Sequence, residues 1–131
     1  MKKYKLIIFD FYKTLFNPET GKLFDGIKEI LIYLSPKIPL FLITVGNKER
    51  KNQIKKLNID IYFKKIIYCK KKNEKIFNKL LVKNNVSPKE SIIVGDNEEE
   101  EIKIAKNLGI EIIKINYKKE NPYESIKRGL K

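Results

Sequence analysis

Four consecutive apolar residues, Leu6-Ile7-Ile8-Phe9, stop abruptly on Asp10, and Thr14 follows four positions later. An apolar run of this length reads as a strand covered on both faces, as in a parallel sheet flanked by helices. In open sheets of that kind, ligands bind beyond the carboxyl ends of the strands, where the strand order reverses. Asp10 stands at such an end, so it is the first candidate for chemistry.

The remaining chain supplies the elements that a parallel sheet needs. The first strand runs from Tyr4 to Phe9, and Asn17 to Gly21 is a loop with Pro18 inside it. Phe24, Ile27, Ile30, Leu31 and Leu34 recur at helical spacing until Ser35-Pro36 ends the helix. A second strand, Pro39 to Ile43, leads into Thr44-Val45-Gly46-Asn47, with Asn47 as N-cap of a helix reaching about Leu57. Phe63 to Tyr68 forms a third strand, followed by three lysines at 70–72 and a helix from about Asn73 to Asn84. Ser87-Pro88-Lys89-Glu90 is a capping box on a short turn. A fourth strand, Ser91 to Val94, ends at Gly95-Asp96-Asn97 and passes into a helix closed by Gly109. The fifth strand is Glu111 to Ile115, and a short helix follows Pro122. Strand and helix alternate throughout, the pattern of a sheet wound by right-handed crossovers.

With 131 residues and no linker or repeat, the expectation is a single domain over 1–131. One cysteine, Cys69, excludes an internal disulfide. No apolar segment of membrane-spanning length is present, and without a signal-peptide pattern the expected compartment is the cytoplasm. The net charge of +13 is large, and all but two of the 29 basic residues are lysine. Such a surplus attracts anions, nucleic acid included. The lysines are spread evenly, however, and arginine, the better planar reader of phosphates and bases, occurs only at Arg50 and Arg128. A lysine-solvated surface explains the charge better than a nucleic-acid footprint does.

Two strands end on acids, Asp10 and Asp96. If those strands are neighbours, the two carboxylates meet, and hard oxygen ligands in that arrangement suit Mg²⁺. Thr44 brings a hydroxyl to the end of the second strand, and the lysines at 70–72 bring a cation to the end of the third. Each has a plainer explanation: a turn aspartate, a strand-ending threonine, surface lysines. The acids Glu98 to Glu101 suit the positive end of a helix dipole, and Asn97 with Glu100 forms a capping box. Together at strand ends, though, these groups make a set suited to phosphoryl transfer.

Over about residues 4–116 the sequence resembles the haloacid dehalogenase superfamily of hydrolases. Asp10-Phe11-Tyr12-Lys13-Thr14-Leu15 is similar to the first motif, with Asp10 as nucleophile, and Leu42-Ile43-Thr44 to the second, with Thr44 holding the transferred phosphoryl group. Lys71, 25 residues before Asp96, stands near the usual place of the third-motif lysine, which Lys70 or Lys72 could equally supply. Val94-Gly95-Asp96-Asn97, with Glu101 behind it, resembles the fourth. The resemblance implies Mg²⁺ held by Asp10, the Tyr12 carbonyl and Asp96. It also implies that Thr14 orients Asp10 and that Asn97 and Glu101 stand behind the metal site, Glu101 through water.

One departure bears on chemistry. Tyr12 occupies the place of a second aspartate that protonates the leaving group and activates water, work a phenol cannot do as a base at neutral pH. Members that cleave carbon–halogen bonds carry the same Asp-x-Tyr-x-Thr-Leu-Phe pattern, since halide leaves without a proton. Gly95-Asp96 is nevertheless the phosphatase form, and the short connection after Thr14 leaves no room for the helical cap of dehalogenases. The expected molecule is a three-layer, Rossmann-like α/β domain without a cap, its five parallel strands in the order 3-2-1-4-5. Its expected activity is Mg²⁺-dependent hydrolysis of a small phosphorylated substrate. The alternatives are a degenerate member that binds phosphorylated ligands without turnover and, behind that, a 2-haloacid dehalogenase-like hydrolase.

Overall fold

The structure is a computed structural model and describes residues 4–131. Strands β1 (Leu6–Phe9), β4 (Leu40–Val45), β5 (Lys65–Cys69), β6 (Ser91–Gly95) and β7 (Glu111–Lys114) form one sheet; the hairpin strands β2 (Phe16–Asn17) and β3 (Lys22–Leu23) stand apart from it. The order is β5-β4-β1-β6-β7, with every neighbouring pair parallel. Counting only the sheet strands, this is the expected 3-2-1-4-5 order. It makes β1 central, with β4 on one side and β6 on the other, so the ends of these three strands meet at the switch point.

Alternate residues of β1 explain its unbroken apolar run. Ile7 and Phe9 join Leu42, Val94, the buried residues of α1 (Ile27–Leu34) and Ile126 of α5 (Pro122–Gly129) on one face, which also takes Ile54 of α2 (Lys48–Lys56). Leu6 and Ile8 join Phe41, Ile43 and Ile93 under α3 (Glu74–Lys83) and α4 (Lys103–Leu108) on the other. Helices cover both faces, so no strand position on β1 needs a polar side chain.

Three local features differ from expectation. The segment after Leu15 is a small antiparallel hairpin, pairing Phe16 with Leu23 and Asn17 with Lys22 around the expected loop. Strands of two residues are too short to show alternation. Strand β4 extends to Val45, because its pairing with β5 continues through Thr44–Tyr68 and Val45–Cys69. The helix after Asp96 opens with a wide, π-type turn over Glu98–Ile102 before α4 begins. From Thr14 to α1 only the hairpin intervenes, and no cap stands over the strand ends among the described residues. No helix there is long and apolar enough to cross a membrane.

Candidate active site

Asp10 is fixed by the turn that follows β1. Its own N–H donates to the Val94 carbonyl of β6 at 2.9 Å, while the Phe11 carbonyl accepts from the N–H groups of Thr14, Leu15 and Phe16. Lys13 takes the left-handed conformation (φ 65°) that closes this tight turn. The buried Phe11 ring stacks on Phe16 at 5.1 Å and anchors it. The turn puts Thr14 under Asp10, its hydroxyl donating to Asp10 Oδ2 at 3.3 Å. The same turn sends the Tyr12 ring outward, 43% exposed at the rim.

The lysine of the cluster is Lys72, and Lys71 is a correction to the sequence reading. Lys70 and Lys71 are exposed, whereas Lys72 is 5% exposed and pairs through Nζ with Asp10 Oδ1 and, at 3.1 Å, with Glu101 Oε2. The cause is local. Asn73 caps α3, its side chain accepting from Ile76 N–H at 3.0 Å, so Lys72 is the residue just before the cap and turns inward under the strand ends. The position next to the N-cap was the available signal; spacing to Asp96 could not separate three identical neighbours.

Asp96 follows β6, beside β1. One carboxylate oxygen from each of Asp10, Asp96 and Glu101 lies within 4.8 Å of the others. Glu101 is 1% exposed, and both its oxygens are engaged, Oε2 by Lys72 and Oε1 by the Asn97 N–H at 3.2 Å. The back-bond to the cap residue thus comes from Glu101 rather than the expected Glu100, because the wide turn sets the return contact one residue later. Asn97 Oδ1 accepts from Glu99 N–H at 2.9 Å. Gly95 is required by this arrangement: a Cβ there would lie 2.4 Å from Glu101 Cγ.

Burial raises the pKa of Asp10, of Asp96 and of Glu101, Lys72 only partly opposing this at Asp10 and Glu101. Burial works to lower the pKa of Lys72, but the Asp10 and Glu101 carboxylates overcome it and leave it raised. Three carboxyl groups face one ammonium, and the uncompensated negative charge favours a further cation. Mg²⁺ takes hard oxygens at about 2.0–2.1 Å, so ligands across the ion stand about 4.2 Å apart. The three-carboxylate donor set and its size fit such an ion.

Thr44, 1% exposed, reaches the cleft from the end of β4, on the other side of Asp10. The cleft has a volume of about 330 Å³ and is lined by Asp10, Tyr12, Thr44, Arg50, Lys72 and Asp96, among others. Arg50 was not foreseen as a site residue. It sits in the first turn of α2, where Nη1 donates to Thr44 Oγ1 at 3.0 Å. The Gly46-Asn47 break before that helix is the only sequence hint that the third helical residue folds back over the cleft.

With this geometry in view, the sequence profile of haloacid dehalogenase-like hydrolases matches residues 2–115. The chain belongs to that family. Two curated members similar to it are both named glyceraldehyde 3-phosphate phosphatase. The one from Pyrococcus furiosus is 36% identical over 84 residues, covering 60% of this chain and 35% of the relative. The one from Pyrococcus abyssi is 35% identical over 101 residues, covering 72% and 42%. The chain thus spans less than half the length of these relatives. A haloacid dehalogenase-like hydrolase from Xanthomonas campestris shares the fold at a TM-score of 0.80 and 11% identity, over 89% of this chain and 85% of that one.

Proposed function

We propose that this haloacid dehalogenase-like hydrolase removes phosphate from a small phosphorylated substrate, with Asp10 as nucleophile and Mg²⁺ bound by Asp10, Asp96 and the Tyr12 carbonyl. The observation that carries the reading is the meeting of Asp10, Asp96, Lys72 and Thr44 in one cleft at the strand ends. An Asp10 carboxylate oxygen attacks phosphorus, the bond from phosphorus to the leaving oxygen breaks, and the electron pair departs with that oxygen. Water then attacks the phosphorus of the aspartyl-phosphate, releasing inorganic phosphate and restoring Asp10, which splits one hard step into two. Thr14 and Lys72 hold the two Asp10 oxygens in place. The Thr44 hydroxyl donates to a phosphoryl oxygen, as preorganised donors do at developing charge. When bound, the metal neutralises charge on the phosphoryl oxygens.

Tyr12 offers no carboxyl group, so the leaving oxygen must depart without a proton from this position. Acyl phosphates and activated esters meet that condition, and simple alkyl esters should be slow. The test is phosphate release from acetyl phosphate, with and without Mg²⁺, by the natural protein and by Asp10→Asn. Release that needs both Mg²⁺ and Asp10 supports the reading. The exposed Tyr12 ring favours one second reading, a protein that binds phosphorylated ligands without turnover. Ligand and Mg²⁺ would then raise the melting temperature by mass action while no phosphate appears.

A further inference from the structure

Arg50 lines the cleft and has no part in the chemistry above. Its guanidinium carbon lies 5.0 Å from the Phe11 ring centroid and 5.7 Å from that of Tyr12. Nη1 is bonded to the Thr44 hydroxyl. The backbone is also cut away for it. Gly46 holds a φ of 143°, and a Cβ there would lie 2.7 Å from Arg50 Cβ and 3.2 Å from Cγ. Two aromatic faces and a glycine thus fix a long side chain that would otherwise wander.

The electrostatics are as specific as the packing. Arg128, the only other arginine, places two guanidinium nitrogens on the Glu120 carboxylate. Lys72 is already taken by Asp10 and Glu101. Arg50 pairs with no carboxylate among the described residues, and a guanidinium has five N–H donors, most of them unused here. Thr44 is buried while Arg50 is part exposed against the Tyr12 ring at the rim. Arg50 therefore stands outward of the group that would be transferred, beside whatever the substrate extends toward the mouth. A planar fork there suits bidentate binding of a carboxylate or phosphate, which lysine does not match.

We propose that Arg50 selects the substrate by binding a second anionic group, a carboxylate or a phosphate, on the leaving portion of a small phosphorylated molecule. This rests on the reading of Asp10 as the phosphoryl acceptor. The class is narrower than phosphorylated metabolites at large: a doubly anionic molecule, its two charged groups separated by a few atoms, one at Asp10 and the other at Arg50.

The experiment compares binding of 3-phosphoglycerate with glycerol 3-phosphate by titration calorimetry in Mg²⁺. These carry the same ester phosphate and differ in a carboxylate against a hydroxymethyl group. Propane-1,3-diol bisphosphate forms the second arm and separates carboxylate from phosphate recognition. The natural protein should bind at least one of the two doubly anionic ligands about tenfold or more tightly than glycerol 3-phosphate, the size of a charge-assisted contact. Arg50→Ala should bring that ratio within about twofold of unity, and Arg50→Lys should restore it only in part. Any general weakening passed through Thr44 cancels in the ratio. Circular dichroism checks folding; should Arg50→Ala not fold, Arg50→Gln and Arg50→Lys decide. A natural protein without preference, or a preference unchanged in the variants, overturns the proposal. Phosphate release from acetyl phosphate in Mg²⁺ is followed with the same proteins. An Arg50-dependent preference without release would leave the proposal standing while the hydrolase reading falls, and release without preference would do the reverse.

Discussion

Lys72 is the side chain on which the buried cluster depends most. Nearly out of contact with water, it joins Asp10 to Glu101, and no other cation pairs with either among the described residues. Removing one partner of a buried charge pair strands the other, typically at about 3–5 kcal/mol. Lys72→Met should cost about 3 kcal/mol or more in urea unfolding at pH 8 without Mg²⁺, and it should abolish phosphate release. Lys71→Met should stay within about 0.5 kcal/mol of the natural protein, as exposed substitutions do. Equal effects of the two would remove Lys72 from its assigned place. Tyr12 offers the opposite experiment. Its ring stacks against Phe16 at 6.2 Å and lies beneath Arg50, and its own side chain carries no carboxyl group. Tyr12→Asp should raise the turnover of simple phosphate esters, toward the roughly 10²–10⁴-fold that a positioned acid–base group supplies. No gain would mean that the site lacks more than a proton carrier.

At the scale of elements, the β6-to-helix junction is the tightest joint in the site. Gly95 leaves the space into which Glu101 folds, and the wide turn from Glu98 to Ile102 carries Glu101 back to the Asn97 N–H and to Lys72. Gly95→Ala must push Glu101 aside, since the added carbon meets Glu101 Cγ at 2.4 Å. The expected cost is about 1–3 kcal/mol, as in overpacked cores, together with weaker Mg²⁺ binding measured by calorimetry. Unchanged stability and unchanged metal affinity would contradict the joint as described.

The same elements show what a sequence can disclose. The central strand is legible because both its faces are covered, so its apolar run is unbroken. The ends of β1 and β6 are legible because Asp10 follows the first run directly and Asp96 follows the second across Gly95. The hairpin is not, since two-residue strands carry no period. The last residues of β4 are hidden because its partner's register, rather than its own composition, extends it to Val45. Lys72 is hidden among three identical residues, and the cap at Asn73, three-dimensional in its effect, selects it. Arg50 is silent in spacing altogether: it reaches Thr44 only because Gly46 lets the chain fold that closely.

For the whole molecule, the site stores charge that protons or a metal must balance. Asp10 and Asp96, ordinarily near 3.8, and Glu101, ordinarily near 4.5, are all raised by burial. The folded protein therefore holds protons that the unfolded chain has released. That contribution to stability is complete below the ordinary values and is lost as pH rises through the raised ones. Metal-free protein should accordingly lose melting temperature from this cluster as pH rises above the ordinary carboxylate range, and Mg²⁺ should restore it, with a larger shift at about pH 8 than at about pH 5 because protons compete less. Equal shifts at both values would mean that the ion binds elsewhere. The surface charge of +13 adds a general attraction for anions that falls with salt. The cleft's selectivity should survive at about 0.3 M salt, where the Debye length is only a few ångströms.

The most direct measurement concerns Asp10 itself. Since Tyr12 supplies no base for the second half of the reaction, the covalent intermediate should accumulate during turnover of acetyl phosphate. Quenching with borohydride reduces an acyl phosphate to an alcohol, and peptide mass spectrometry locates it. Reduction confined to Asp10, and present only with both Mg²⁺ and substrate, is the predicted result. Phosphate release with Asp10 left unmodified, or with the mark on another carboxylate, would contradict the account.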